Sequence, residues 1–197
     1  MREISPAYGM SADEYLKLQP SESRSLVAHI RKQKREGSRP MPSRSILDRS
    51  TLLSMVTRNY LLDRVALLVD ENLFGRSDMC IQFATLLHLA LIELGIDSRI
   101  AVGKAMYFDG SKELFRWDHT WVRIGSEVVD GNTDILHENP MVPMTVRVSP
   151  YWGPIANIPN DRRLRVANDS NAPHDDDVRN IWWPELKDEI QKFKPLI

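Results

Sequence analysis

Residues Ser77 to Gly95 read S-D-M-C-I-Q-F-A-T-L-L-H-L-A-L-I-E-L-G and include Cys80, the one cysteine of the chain. Ser77 or Asp78 can accept from the free N–H groups of a first helical turn, and Gly95 supplies the positive φ that often ends a helix. The apolar residues between them cover most of the helix circumference, which predicts a helix buried on nearly all sides. We expect it to be the central helix of the domain.

The position of Cys80 in the first turn of this helix bears on its chemistry. The positive end of a helix dipole favours the thiolate, which is the nucleophilic form of cysteine. A lone cysteine is also common as a small buried hydrophobe. At this point Cys80 can be interpreted either as a nucleophile or as a core residue.

Composition limits the class of protein. The 197 residues predict one domain, and a formal net charge of -1 indicates no general attraction to nucleic acid or to a membrane surface. Without an apolar signal segment or an apolar run of spanning length, we expect a cytoplasmic protein, with export by a route without a cleavable signal left open. Metal-ligand spacings and glycine-rich phosphate loops are missing, so neither a metal nor a cofactor is expected. Composition does not predict an oligomeric state.

Helical patterns dominate the N-terminal part. Residues 1–45 are predicted to be a helical extension, with helices over Ser11–Leu18 and Ser21–Glu36. The second ends in a basic run that suits an anionic partner but is more typical of a solvated helix face. This run consists of Arg31, Lys32, Lys34 and Arg35. Residues from Ile46 to about Leu73 predict further helix, in one or two pieces, that packs against the central helix.

After Gly95 the apolar period changes from that of a helix to that of a strand. The predicted strands are Ser98–Met106, Phe115–Ile124 and Glu127–Asn132. They form an antiparallel meander, and the fold class is therefore α+β, with the Cys80 helix packed on an antiparallel sheet. The core of the domain, which contains Cys80, is assigned to residues 46–150.

The part between Asp134 and Trp182 contains six prolines and predicts little regular structure. We interpret it as a segment that wraps around the core. A terminal helix is predicted over Pro184–Phe193, with Trp182 and Trp183 as anchors. Residues 151–197 thus form a C-terminal wrap and helix within the same single domain.

The loop Gly125-Ser126 suits a two-residue hairpin and pairs Ile124 with Glu127. This register brings four side chains to one face: His119, Trp121, Asp130 and Asn132. Asp130 is then the diagonal neighbour of His119, about 7–8 Å away between backbones, a span that the two side chains can bridge. Taken singly, a histidine in this position is more often a packed residue under the sheet, and an aspartate is more often a turn or strand-end residue.

Residues 75 to 134 resemble the transglutaminase-like superfamily of thiol enzymes. In that family a C-x-x-F-A helix is followed by L-G-I-x-S-R, then H-x-W-V, then V-D-x-x-T. The same order stands here as Cys80 with Phe83-Ala84, Leu94-Gly95-Ile96 with Ser98-Arg99, His119-Thr120-Trp121-Val122, and Val129-Asp130 with Thr133. The resemblance implies a papain/transglutaminase-like core in which Cys80 is the nucleophile, His119 the general base and acid, and Asp130 the orienting carboxylate.

Departures from two branches of the family narrow the expected activity. Cross-linking transglutaminases carry Gly-Gln before the cysteine and a Trp after it, where this chain has Asp78-Met79 and Ile81. Arylamine N-acetyltransferases have a glycine-rich approach that residues 76–79 lack. The resemblance therefore implies a small bacterial-type peptidase or amidase, a thiol-dependent hydrolase that cleaves an amide bond of a peptide or protein.

Two alternatives remain at this stage. One is a deamidase or transamidase that uses the same three residues, because the thioester step is shared and only the acceptor differs. The other is a non-catalytic binding module on the same fold. Three tryptophans, Trp117, Trp121 and Trp152, are candidate walls of a substrate pocket, although core packing is the common role of this residue.

Overall fold

The computed structural model describes residues 46–72, 79–136, 141–170 and 178–193, together with 76, 139 and positions 4–5, 10–11, 14, 17–22, 25, 28–29 and 32. The helices are α1 (Met55–Asn72), α2 (Cys80–Glu93) and α3 (Trp183–Phe193). The strands are β1 (Ile4–Ser5), β2 (Met10–Ser11), β3 (Leu47–Asp48), β4 (Arg99–Asp109), β5 (Lys112–Ile124), β6 (Glu127–Asp130), β7 (Tyr151–Pro154) and β8 (Arg162–Ser170). A short 3-10 helix (Ile155–Asn157) and a π-helical turn (Val178–Trp182) complete the described elements.

Six strands form one mixed sheet in the order β3-β7-β6-β5-β4-β8. Only the β3–β7 pair is parallel; the other neighbours are antiparallel. Helices α1, α2 and α3 contribute to one hydrophobic core together with side chains from one face of the sheet, among them Ile100, Val122 and Trp152. The α+β class and the central position of the Cys80 helix are confirmed, whereas the sheet, predicted to be antiparallel, is mixed because the edge strand β3 pairs in parallel with β7.

Helix α2 begins at Cys80 and ends before Gly95, whose φ of 79° matches the predicted stop. Its N-cap residue is Met79, which makes no side-chain cap; Ser77 and Asp78, the predicted caps, lie outside the described residues. The helix is buried through its middle, while the apolar side chains near its two ends are partly exposed. The buried helix predicted from the apolar pattern is therefore present.

The predicted meander is confirmed as β4, β5 and β6. The first two strands extend further toward the Asp109-Gly110 turn than the apolar alternation indicated, and Gly110 takes a φ of 57° there. In the second hairpin Ile124 pairs with Glu127, so the predicted register is also confirmed. This register determines which residues of β5 and β6 share a face.

The helix predicted from Ile46 is wrong at its start. Leu47 and Asp48 form β3, a short edge strand in which Leu47 pairs with Tyr151. Helix α1 begins only at Met55, after Ser54, whose hydroxyl accepts from the Thr57 N–H at 3.1 Å. Leu47 belongs to the sheet because a distant segment, β7, supplies the neighbouring strand.

The prediction of sparse structure beyond Asp134 is also wrong, because this part contributes β7 and β8. Proline is tolerated at strand ends and in turns, since no ladder donor is needed there. Pro154 ends β7, and the Pro159 carbonyl accepts from the Arg162 N–H at 3.2 Å in the turn before β8. Strand β8 then pairs with β4 along nearly its whole length and forms one edge of the sheet.

The terminal segments agree in part with expectation. Every described position within Ser21–Glu36 is helical, whereas Ser11, the predicted start of the first helix, lies in β2. Most of the basic run lies outside the described residues. The C-terminal helix is confirmed as α3, and Trp182 and Trp183 pack against the core. Within the described part of the chain, no helix combines the length and apolarity needed to cross a membrane.

Candidate active site

His119 lies on β5, and its side chain is on the sheet face that points away from α2. The side chain is almost fully buried. Its ring stacks between two tryptophans of the same strand: Trp117 at 5.5 Å between centroids and Trp121 at 6.0 Å. Residues i and i+2 of a strand share a face, which explains the column of three rings. The two neighbouring rings hold the imidazole in one orientation.

Asp130, the last residue of β6, accepts a hydrogen bond from His119 Nε2 at 2.8 Å on its Oδ1 atom. Both side chains are buried. The diagonal contact inferred from the hairpin register is therefore present. Burial alone would lower the pKa of His119, but the Asp130 charge and hydrogen bond, followed by smaller contributions from Cys80, outweigh it and raise the pKa to about 10. The structure thus favours the imidazolium.

Arg162 is a member of this group that the sequence analysis missed. Its Nη1 atom donates to Asp130 Oδ2 at 3.0 Å, and both side chains have no exposed surface. The same guanidinium donates through Nε to Asp161 and through Nη2 to the Ser149 carbonyl. Burial would raise the pKa of Asp130, but His119 first and Arg162 second outweigh it and hold the pKa below its ordinary value.

Cys80 stands at the first position of α2 and is partly exposed, so it is not a sealed core residue. The pairing of β5 with β6 covers Val122 to Ile124, which leaves the β5 backbone at Thr120 facing the helix start. The Thr120 backbone N–H and hydroxyl both contribute to the environment of the Cys80 sulfur.

The thiol and the imidazole interact. Burial raises the pKa of the Cys80 thiol, but the hydrogen bond and charge of His119, with smaller contributions from Thr120, outweigh it and lower the pKa. Because Nε2 binds Asp130, the remaining ring nitrogen for the sulfur is Nδ1. This nitrogen is buried, and among the described residues no nitrogen or oxygen atom makes a hydrogen bond to it, so it is available to the Cys80 sulfur.

A second buried ion pair joins the two chain segments that carry Cys80 and Asp130. Arg76 makes two hydrogen bonds of 2.9 Å to the Asp134 carboxylate, and its side chain is 1% exposed. Asn132 donates to the Arg76 carbonyl at 2.7 Å. The predicted strand continued to Asn132 and set it opposite His119, but β6 ends at Asp130, and Asn132 instead binds the backbone of the segment that precedes Cys80. No sequence signal paired Arg76 with Asp134.

The three candidate tryptophans differ in exposure. Trp121 and Trp152 are 2% and 0% exposed and belong to the hydrophobic core, so neither presents surface to a ligand in this structure. Trp117 is partly exposed and stacks on His119. Of the three expected pocket walls, Trp117 alone has surface that a substrate can contact.

Other polar features lie apart from this site. His88 is buried and its Nδ1 lies 2.8 Å from Ser98 Oγ, as expected for a packed histidine. A surface cavity of about 290 Å³, lined in part by Arg99, Arg123 and Asp169, opens at the other end of β4 and β5. Among the described residues, no three His, Cys, Asp or Glu side chains are grouped so as to hold a metal ion.

Comparison with known proteins gives no relative: no family model, no curated protein and no solved structure matches this chain.

Proposed function

We propose that this protein is a thiol-dependent hydrolase that cleaves an amide bond, most simply in a peptide or protein, with Cys80 as nucleophile. The observation that carries the proposal is the buried hydrogen bond of 2.8 Å between His119 Nε2 and Asp130, which leaves Nδ1 for the partly exposed Cys80. In this arrangement the pKa of the thiol is lowered and that of the imidazole is raised. A thiolate beside an imidazolium is the reactive form of a cysteine nucleophile. The resemblance to the transglutaminase-like superfamily and its papain/transglutaminase-like core supports the same proposal.

In the proposed reaction the Cys80 sulfur attacks the carbonyl carbon and a C–S bond forms. The Cys80 N–H, at a helical position that has no acceptor within the helix, stabilises the oxyanion. The His119 Nδ1 proton passes to the leaving nitrogen as the C–N bond breaks. Water then attacks the thioester: His119 takes a proton from it, a C–O bond forms, the C–S bond breaks, and His119 ends protonated beside the thiolate.

Asp130 and Arg162 act through His119 in this proposal. Asp130 holds Nε2 and leaves Nδ1 available to the sulfur. Arg162 holds the second oxygen of Asp130 and keeps the buried carboxylate charged. Both therefore position the imidazole and have no contact with the substrate.

The test is covalent trapping followed by mass spectrometry. A library of peptidyl acyl fluorides and chloromethyl ketones is expected to add one peptide group to the wild-type protein at Cys80. Cys80→Ala should abolish the adduct, and His119→Ala should slow its formation strongly. Addition of an amine or of ammonia, followed by product analysis, separates hydrolysis from transfer or deamidation, which pass through the same thioester. Equal labelling of wild type and His119→Ala would contradict the proposal.

A further inference from the structure

Four cationic side chains lie on the sheet face that carries Thr120, beyond the start of α2. The strand register pairs Lys104 with Asp118 and Arg165, and it pairs Met106 with Arg116 and Arg163. Alternation along the strands places these residues on the same face as Val102, which packs against the core under α2. The resulting surface is called the basic platform and consists of Lys104, Arg116, Arg163 and Arg165.

The platform has an excess of positive charge. Lys104 pairs with Asp118 at 2.7 Å, and Arg116 pairs with Glu113 at 2.5 Å. Arg163 lies over the Phe108 ring at 4.8 Å. Within the described residues neither Arg163 nor Arg165 forms an ion pair, and both are exposed. Since the whole chain carries a net charge of -1, this excess belongs to the platform and not to the composition of the protein.

The field of the two unpaired arginines reaches their neighbours. The Arg116 hydrogen bond is the main cause that lowers the pKa of Glu113, and the charges of Arg165 and Arg163 act in the same direction. An incoming carboxylate would meet the same field. Arg163 and Arg165 are alternate residues of β8, so their Cα atoms lie about 7 Å apart, a spacing that matches alternate residues of an extended peptide.

The platform lies close to the nucleophile. Thr120, which contributes to the environment of the Cys80 sulfur, is two residues along β5 from Asp118. Lys104 pairs with Asp118, and Arg165 is one strand further. With about 3.3 Å per residue and about 4.8 Å per strand, Arg165 lies roughly 12 Å from Thr120. An extended chain covers that distance in about four residues.

We propose that the basic platform binds acidic side chains of a protein or peptide substrate within about four residues of the carbonyl that Cys80 attacks. This inference rests on the proposed function, since it needs a substrate at Cys80. A peptide fits better than a nucleic acid for two reasons. Asp118 presents a carboxylate with 83% of its side chain exposed, and the Phe108 ring is covered by Arg163 and therefore cannot stack on a base.

The experiment compares two electrophilic peptides. Each carries a chloromethyl ketone on a central side chain. Glu residues flank this side chain on both sides in one probe, and Gln residues flank it in the other. Because the flanks are symmetric, the direction in which the peptide binds does not matter. The readout is the second-order rate of Cys80 alkylation. The variant is Arg163→Glu/Arg165→Glu, and the matched control is Lys187→Glu/Lys192→Glu on α3. Iodoacetamide reports whether Cys80 itself is unchanged.

For wild type and the α3 control, the Glu probe should react about five- to thirty-fold faster than the Gln probe, the effect of two exposed ion pairs of about 0.5–1 kcal/mol each. This difference in rate between the two probes should decrease at high salt, and it should be absent in Arg163→Glu/Arg165→Glu. The rate of the reaction of Cys80 with iodoacetamide should be the same in all three proteins. Equal rates for both probes in wild type would overturn the inference, as would competition by a single-stranded oligonucleotide that the β8 variant no longer binds. If the proposed function itself is wrong, the result differs from both of these: neither probe would then label Cys80 faster than it labels a free thiol.

Discussion

Arg162 and Asp130 form an ion pair at 3.0 Å in which neither side chain has exposed surface. The other carboxylate oxygen of Asp130 accepts a hydrogen bond from His119 Nε2. The carboxylate is thereby held from two sides, and its rotation is fixed by groups from β5 and β8. The orientation of the imidazole thus depends on a strand that lies two places away in the sheet.

Removal of the guanidinium is expected to destabilise the protein. Arg162→Met leaves the Asp130 charge buried with one partner fewer and should lower the free energy of unfolding by about 3–5 kcal/mol. Arg163→Met, at the exposed neighbouring position, should change it by less than about 0.5 kcal/mol. Urea denaturation of both variants checks this. A similar small change in both would contradict the proposed role of Arg162.

The Arg76–Asp134 pair is expected to matter as a unit. Arg76→Met should cost about 3–5 kcal/mol of stability because Asp134 then loses its buried partner, whereas Arg76→Met/Asp134→Leu should recover part of that loss. Arg116→Met, which breaks an exposed pair with Glu113, should cost no more than about 1 kcal/mol. Denaturation curves give all three values. If the double variant is less stable than Arg76→Met, the charge of Asp134 is not the cause.

The raised pKa of His119 predicts a specific dependence of stability on pH. In the folded state the ring keeps its proton to higher pH than the ordinary value of 6.5, so its contribution to stability is complete below pH 6.5 and declines as the pH rises through the folded-state pKa. Since the thiol also titrates, the comparison uses Cys80→Ala and Cys80→Ala/His119→Gln. The stability difference between these two should shrink above pH 6.5. A constant difference would mean that His119 is buried neutral.

The partial exposure of Cys80 predicts that its side chain contributes little packing. Cys80→Ala should leave the thermal midpoint nearly unchanged, while Leu87→Ala, in the fully buried middle of α2, should cost roughly 2–5 kcal/mol. Calorimetry of the two variants tests the difference. Equal and large losses would identify Cys80 as a core residue.

The elements that the sequence predicted well are those set by local pattern. The α2 helix follows from its apolar residues and Gly95, and the β5–β6 hairpin follows from the Gly125-Ser126 loop. The register of this hairpin is sufficient to bring His119 and Asp130 into contact. A two-residue loop leaves little freedom for the strands that it joins.

The features that the sequence analysis missed depend on distant segments. The stretch Arg162–Ser170 has few apolar residues and becomes a strand because β4 offers it a free edge. Its pairing with β4 places Arg162 opposite Tyr107 and brings it to Asp130. The pairing of Arg76 with Asp134 has the same origin. Buried arginines of this kind have no local signature, since their partners are 32 and 58 residues away in the chain.

The most direct test of the central claim uses the single thiol. The rate of alkylation of Cys80 by iodoacetamide, measured against pH, gives the pKa of the thiol without a competing signal. We expect a midpoint clearly below the free-thiol value of about 8.5, because His119 stabilises the thiolate. His119→Ala should raise the midpoint, and Asp130→Asn should raise it by less. If wild type and both variants titrate together near the free-thiol value, the proposed pairing of Cys80 with His119 is contradicted.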